Sequence, residues 1–385
     1  MKKNQVLPRK PKVRDYFFLI PMGEKGLQVR TIDNIFMMRG KAVSELFPAL
    51  LPLLNGEYEI DDIVSRLKDF SEEVVVAAVN ALNKKGILED ASGQPSPGIS
   101  TEEAARYERQ ITLFSQFHED RYAYQEKLKN SKVTIFGLGQ VGTHLLSSLA
   151  LSGVGHLKVV EPGNVETKDL GSFFLTEDVG KSKCQAAGSR IALMNPHTHS
   201  EFVPEPVDSA QGAARFIDGS DFVVVCQDHP AVSIFRWINE ACLEKKIPWT
   251  SACLEGYRGR VGAAVLPYET ACYTCYELRV KSNERFYEEY VNFEEYLKTN
   301  PDCNVEYGSL YCFAPIIANY AALEIIKALT YLRVPVTYGR VHTMNFLDLA
   351  EEVSDVLKIP KCPTCTRMKP KPVLWDGEEK TRGGG

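Results

Sequence analysis

The chain has 385 residues, 44% of them hydrophobic and 25% charged, with a formal net charge of -5 and a pI near 5.9. That is enough apolar material for a full core over two or three domains, and the acidic balance argues against a general nucleic-acid binder. No apolar run approaching the roughly 18–20 residues of a membrane span is apparent. The charged first dozen residues precede no apolar segment of the secretory type. Of the ten cysteines, several (Cys226, Cys242 and Cys253 among them) sit singly in apolar stretches, the pattern of reduced thiols; a cytoplasmic protein is expected.

Residues 1–95 read as one small unit. Tyr16-Phe-Phe-Leu-Ile and Gly26-Leu-Gln-Val-Arg predict two short strands around a turn at Gly23 to Gly26. Helical spacing follows over Ala42 to Leu54 and Ile60 to Leu67, and then from about Glu72 to Lys85, where Gly86 supplies the stop. A hairpin with three helices predicts a winged-helix-like domain. The segment Glu89 to Ser100 has linker composition, and residues 96–130 carry a helix near Glu102 to Phe117 containing Arg106-Tyr-Glu-Arg-Gln-Ile111. From 131 to 385 strands and helices alternate. Strands are predicted at Val133 to Gly137, His156 to Glu161, Phe222 to Asp228 and Trp249 to Cys253, with helices at Gly142 to Ser152, Ser182 to Leu193 and Val232 to Lys245. This is a doubly wound, mostly parallel α/β sheet. The aromatic and acidic stretch Phe286 to Tyr311 is a candidate crossover loop over the nucleotide site, and Phe313 to Leu329 an amphipathic helix for a dimer surface.

Two features carry chemistry. Gly137-Leu-Gly-Gln-Val-Gly142 opens a helix after a strand, where three glycines allow a tight turn, close phosphate approach and helix-on-strand packing. Glu161, at the end of the next strand, can accept from a ribose hydroxyl. The glycines alone also fit mere close packing, or an NAD-linked oxidoreductase. The pairs Cys272-Tyr-Thr-Cys275 and Cys362-Pro-Thr-Cys365 offer four thiolates to a structural, tetrahedral zinc with no open position; redox dithiols are the alternative.

These motifs resemble the ThiF/MoeB superfamily of adenylating enzymes, relatives of the ubiquitin-activating enzymes. The resemblance runs from about Arg106 to Cys365 and includes Ser152-Gly-Val-Gly-His-Leu, Asp178-Val-Gly-Lys-Ser-Lys183, Met194-Asn-Pro196 and Gln227-Asp228. It implies ATP-dependent conversion of a peptide C-terminal carboxylate to an acyl-adenylate, with Mg²⁺, in a homodimer. It also implies that Arg109 reaches into the partner subunit's phosphate site, that Lys183 holds phosphates, and that Asp228 works with Mg²⁺. Gly137, Gly139, Gly142 and Glu161 would form the nucleotide site. By the same resemblance, a catalytic cysteine would be Cys184 or Cys253, each of which also reads as a small core residue. The family's Asn-Leu-x-Arg is here Asp169-Leu-Gly-Ser172, a change of about two charge units toward negative around a polyanion. Such a loss predicts poor adenylation.

Residues 14–90 resemble the PqqD-like peptide-recognition domain, on Leu51-Pro-Leu-Leu-Asn-Gly-Glu-Tyr58, Ile63-Val-Ser-Arg-Leu and Leu82-Asn-Lys-Lys-Gly-Ile-Leu88. This implies leader-peptide capture as an added strand, and Phe17, Leu19, Leu27, Val29, Val75, Ala78 and Leu82 are the candidate peptide-binding residues. The whole arrangement resembles the leader-binding partners of YcaO-type azoline cyclodehydratases. It implies a non-catalytic subunit presenting ribosomal precursors for thiazole or oxazole formation in bacteriocin biosynthesis. The alternative is an adenylating enzyme of the microcin type; a DNA-binding regulator is a third.

Overall fold

The structure, a computed structural model, describes residues 7–92, 98–118, 120–227, 233–300 and 308–368. The chain divides into two compact units, residues 1–126 and 127–385.

The first unit opens with strands β1 (Pro11–Val13), β2 (Phe18–Pro21), β3 (Leu27–Arg30) and β4 (Ile35–Met38). Helices α1 (Lys41–Glu45), α2 (Phe47–Leu50), α3 (Ile60–Arg66) and α4 (Glu72–Lys84) follow, then β5 (Leu88–Asp90), α5 (Thr101–Arg106) and α6 (Glu108–Phe114). Strands β2, β3 and β4 form an antiparallel sheet in that order, and β1 pairs with β5. Strand β4 lies beyond the predicted hairpin. Ile35-Phe-Met-Met38 is apolar on both faces, so it shows no period-two alternation. The turn before it is closed by the Thr31 amide on the Asn34 carbonyl (2.8 Å) and the Asn34 amide on the Thr31 hydroxyl (3.1 Å). The single helix expected over Ala42 to Leu54 is broken: Pro48 lies in the first turn of α2 and Pro52 in a 3-10 turn at Leu51–Leu53. Proline is tolerated in a first turn, where its missing N–H has no helical partner, so each one marks a restart. The expected helix near Glu102 to Phe117 likewise divides at Tyr107.

Most of the candidate peptide-binding side chains are core. Leu27, Val29, Val75, Ala78 and Leu82 are buried together with Leu46, Phe47, Leu50 and Ile63, and Phe17 and Leu19 pack against them. A three-stranded sheet is stable only when its apolar face is covered. The inward residues of β3 and the apolar stripe of α4 cover each other, so in this structure these side chains serve the core of the unit. The opposite sheet face is exposed, with Phe18 at 60% and Ile35 at 59% beside Ile20 and Met37.

Helix α7 (Ala123–Asn130) spans the join between units. The second unit contains β6 (Lys132–Phe136), α8 (Gln140–Leu151), β7 (His156–Val160), α9 (Lys183–Met194), β8 (His199–Val203), α10 (Ala210–Phe216), β9 (Phe222–Val225), α11 (Ser233–Lys245), β10 (Trp249–Glu255) and β11 (Arg258–Gly262). It continues with α12 (Tyr273–Asn283), α13 (Tyr287–Thr299), α14 (Phe313–Thr330), β12 (Arg340–Asn345), β13 (Ala350–Asp355) and α15 (Cys365–Met368). One sheet runs β13-β12-β11-β10-β9-β6-β7-β8, parallel from β10 to β8 and antiparallel from β10 to β13. Strand β9 is buried throughout, as its Phe222-Val-Val-Val run requires in a sheet covered on both faces. The edge strand β13 is fully exposed and carries Glu351, Glu352 and Asp355, charges that discourage further strand addition.

Within the candidate crossover stretch, α13 is helical. Its Glu294 joins Arg236 and Lys281 at 2.9 and 2.6 Å, tying it to α11 and α12. Helix α14 is long and apolar enough to cross a membrane, which corrects the reading that no run approaches that length. It is a core helix instead. It packs on α8, with Ser148 Oγ donating to Asn319 Oδ1 at 2.6 Å, and its buried Glu324 accepts the Thr337 amide and hydroxyl at 2.8 and 2.9 Å.

Candidate nucleotide site and four-cysteine centre

From β6 the chain proceeds outward to β7 and β8, then returns to the other side of β6 for β9 and β10. In such sheets ligands bind beyond the strand carboxyl ends, where the order reverses. The glycine loop lies at that point. Gly137 has φ +97°, a left-handed conformation, and a Cβ there would meet the Gln227 amide nitrogen at 2.9 Å. A Cβ at Gly142 would overlap the Gly137 carbonyl, so this glycine lets α8 close on β6. Gly139, the residue preceding α8, faces open space, with nothing within 4 Å of a Cβ. Packing does not require glycine at 139, and the open space before a helix N-terminus is of the kind that can accept a phosphate. We expect Gly142→Ala to lower the melting temperature clearly. Gly139→Ala is expected to leave it within a few degrees while weakening nucleotide binding about tenfold or more, a contrast that thermal unfolding and calorimetric titration check directly.

Glu161 directly follows β7 and is tied into the loop on both oxygens. It accepts the Leu138 amide at 2.7 Å and the Gly163 amide at 2.7 Å. Lys183, at the start of α9, donates its main-chain amide to the Gly163 carbonyl at 3.0 Å. Its ammonium does not stand free: Nζ is 3.0 Å from Asp169 Oδ1, with the two side chains 13% and 9% exposed. The other Asp169 oxygen accepts the Glu166 amide at 2.9 Å, within the capping box of a 3-10 turn. The acid at position 169 therefore occupies the lysine assigned to the phosphates.

Position 172, where the resemblance implies a missing cation, is also filled. The Ser172 amide donates to Tyr311 Oη at 2.8 Å and the two hydroxyls lie 2.7 Å apart, while the Tyr311 ring covers Gly171. The same ring meets His144 of α8 edge-on, with centroids 5.4 Å apart, and burial holds the His144 pKa below its usual value. Sequence reasoning set the stretch ending at Tyr311 over the nucleotide site but did not single out this residue, which lies 139 positions from its partner. No local pattern announces such a contact.

Of the sequence candidates, Gly137, Gly139, Gly142, Glu161 and Lys183 come together. Arg109 is exposed on α6 of the first unit. Asp228 lies outside the described residues. Cys184 donates to the Glu161 carbonyl at 3.2 Å, and burial pushes its thiol up to about 11, which leaves it protonated and unreactive near neutrality. Cys253 is buried on β10 beneath Arg260 Nη2 at 3.4 Å; that arginine also bonds Tyr276 Oη and Glu255, both at 2.8 Å.

The four cysteines of the two pairs converge. All are buried, their sulfurs lie within 4.8 Å of one another, and the closest approaches are 3.7 Å (Cys272–Cys362), 3.7 Å (Cys275–Cys365) and 3.9 Å (Cys272–Cys275). The two knuckles match around a Thr274–Thr364 hydroxyl contact of 2.9 Å. The Ile359 amide points at Cys275 Sγ (3.4 Å), and the hydrogen bond from Cys272, with this amide, holds the Cys275 thiol below its usual pKa at the expense of Cys272, which is pushed up. A sulfur with a donated N–H and a depressed pKa is a ready metal ligand. This cluster fits a single metal ion.

The comparisons with known proteins agree with this geometry. A molybdopterin-synthase adenylyltransferase of Escherichia coli is 28% identical over 69% of this chain and 98% of its own. The adenylyltransferase and sulfurtransferase UBA4 of Candida albicans is 35% identical over 38% of this chain; the match spans 32% of that protein, about a third of its length. Among solved structures, the microcin C7 biosynthetic enzyme MccB in complex with N-formylated MccA superposes with a TM-score of 0.68 at 18% identity, over 92% of this chain and 99% of that one. PaaA superposes at 0.70 and 22% identity, over 90% and 100%. The ThiF family model matches residues 107–366. With the reversal-point glycine loop, its Glu161 tether and the paired cysteine knuckles over that same span, this chain belongs to the ThiF family.

Proposed function

We propose that this protein is an ATP-dependent adenylating enzyme that activates a carboxylate of a ribosomally made peptide. The single observation that carries the reading is Gly139, held as a glycine over open space at a helix N-terminus. Its adenylyltransferase relatives, and a fold neighbour captured both with ATP and with N-formylated MccA, support the same direction. In this reaction a carboxylate oxygen attacks the α-phosphorus, the bond to the departing pyrophosphate breaks, and the acyl-adenylate remains. The start of α8 cradles phosphate oxygens, Glu161 rigidifies the loop and meets the ribose, and Lys183 leaves Asp169 to neutralise the phosphates. On the family pattern Asp228 would hold a Mg²⁺ that would add neutralisation, and Arg109 serves the partner's site in a cytosolic homodimer. The four cysteines take zinc: a tetrahedron with Zn–S of about 2.3 Å has S–S edges of about 3.8 Å, which matches the closest sulfur contacts.

The first unit captures the peptide's leader by strand addition. We place this at the outer edge of β4 instead of Phe17 to Val29, because among the described residues β4 is paired only on its β3 side. The other edge strand, β2, is blunted by Pro21. A proline scan over Ile35 to Met38 is expected to abolish leader binding, measured by fluorescence anisotropy, at alternate positions, those whose amides face outward. Uniform tolerance of all four prolines would remove β4 as the site.

A second reading is favoured by the Asp169–Lys183 pair and the hydroxyls at position 172. In it the chain is a non-catalytic, leader-binding partner of a YcaO-type cyclodehydratase that makes thiazole or oxazole rings. Peptide-dependent ATP–pyrophosphate exchange separates the two. Exchange by the purified chain carries the adenylating reading; its absence with a peptide that binds tightly, together with stimulation of a YcaO enzyme, would replace it.

A further inference from the structure

We propose that Asp169 makes this site selective for nucleotide complexed with a divalent cation and excludes the free polyanion. The inference rests on the nucleotide reading above and deepens it. Its basis is how firmly the carboxylate is placed. One oxygen is held by the Glu166 amide at 2.9 Å and the other by Lys183 Nζ at 3.0 Å, in a spot where both side chains are largely shielded from water. Asp169 sits in a turn bonded to its own backbone and cannot swing aside as a surface acid would. The Lys183 main-chain amide is held by the Gly163 carbonyl, so the ammonium reaches a ligand by rotation about its own side-chain torsions.

When that tip turns to a phosphate, it leaves a fixed carboxylate beside the polyanion. Glu161 is equally fixed, by the Leu138 and Gly163 amides. Two carboxylates and one ammonium leave the described part of the cradle at a net charge of -1, and the neighbouring Ser172 and Tyr311 hydroxyls add no charge. Charge repulsion in a partly dehydrated pocket grows with ligand charge. An uncomplexed triphosphate carries a charge of about -4 near neutral pH, and a bound Mg²⁺ halves it. The metal thus reduces the repulsion that Asp169 imposes as well as assisting the chemistry.

The test is calorimetric titration of the full chain with a non-hydrolysable ATP analogue, with millimolar Mg²⁺ and in metal-depleted buffer. Depletion is by prior resin treatment, since a soluble chelator would also attack the cysteine centre. The wild type is expected to bind the magnesium complex at least about tenfold more tightly than the free analogue. Asp169→Asn keeps the bond to the Glu166 amide and should narrow that ratio to within about threefold, through tighter binding of the free form. Lys183→Met leaves the carboxylate unopposed and should widen it. Thermal unfolding checks that each variant is folded. A wild-type ratio near one, or a ratio that neither variant moves, overturns the role of Asp169 while leaving the nucleotide site intact. A wild type that binds neither form overturns the nucleotide reading, and this proposal with it.

Discussion

Lys183→Ala is expected to lower peptide-dependent ATP–pyrophosphate exchange by about 10²- to 10³-fold, the usual cost of removing one cation from a developing phosphoryl charge. The structure makes the effect larger than charge loss alone. Lys183 neutralises Asp169 at 3.0 Å, and alanine leaves that shielded carboxylate facing the phosphates without a partner, a costly arrangement for any buried charge. A second substitution therefore distinguishes the two contributions. Lys183→Ala combined with Asp169→Asn is expected to recover about tenfold of the lost exchange, because it removes the repulsion without restoring the cation. Additive losses in the double variant would mean that the two side chains act independently. Exchange by Lys183→Ala within about threefold of wild type would remove the lysine from the phosphate site. Leader binding by the first unit should be unchanged in both variants, a control that separates catalytic failure from misfolding.

The second large effect concerns the cysteine centre. We expect one zinc per chain by elemental mass spectrometry, and Cys275→Ser should lose it. The apparent binding energy of a structural zinc, about 10–16 kcal/mol in small domains, is comparable to the whole net stability of a typical domain, about 5–15 kcal/mol. Removing a ligand should therefore release the segment that leads into Cys362 and Cys365. Among the described residues that segment is otherwise held by Arg279 on the Leu357 and Lys358 carbonyls (2.6 and 3.4 Å), Lys358 Nζ on the Tyr268 carbonyl, the Thr274–Thr364 contact (2.9 Å), Tyr268 Oη on the Met368 carbonyl (3.3 Å) and the packing of Ile359 and Met368. Rapid proteolysis near residues 357–368 is the expected readout, with a fall in melting temperature of several degrees. Thr274→Val loses only the Thr364 contact and should retain the metal. A purified wild type with no metal, melting like Cys275→Ser, would show that the four sulfurs are merely packed together.

Much of the second unit was legible without coordinates, for one physical reason: its signals are local. A glycine placed where φ must be positive, a buried valine run and two cysteines one knuckle apart each impose their geometry within a few residues. Strands β6, β7, β9 and β10, helices α8, α9 and α11, and the paired knuckles of Cys272, Cys275, Cys362 and Cys365 followed from such patterns, whereas β8 and α10, where polar and apolar residues mix, did not. Strand β4 did not, because its residues are apolar on both faces and lack the alternation that marks a strand. The core role of the candidate peptide contacts was hidden for a related reason. A residue such as Val29 or Leu82 reads the same whether its apolar face meets a ligand or the rest of its own domain, and only packing tells them apart.

The sequence by itself determined the family-level architecture, the glycine loop and the cysteine knuckles, and it flagged Asp169 and Ser172 as departures in charge. Tertiary structure decided what those departures mean. Whether an acid at 169 merely repels a phosphate or also captures Lys183 depends on how the turn after β7 meets the start of α9. Whether Ser172 is an empty position or a partner for Tyr311 depends on chain 139 residues away. Coulomb and hydrogen-bond energies act through distance in space, and for residues far apart in the chain that distance exists only after folding.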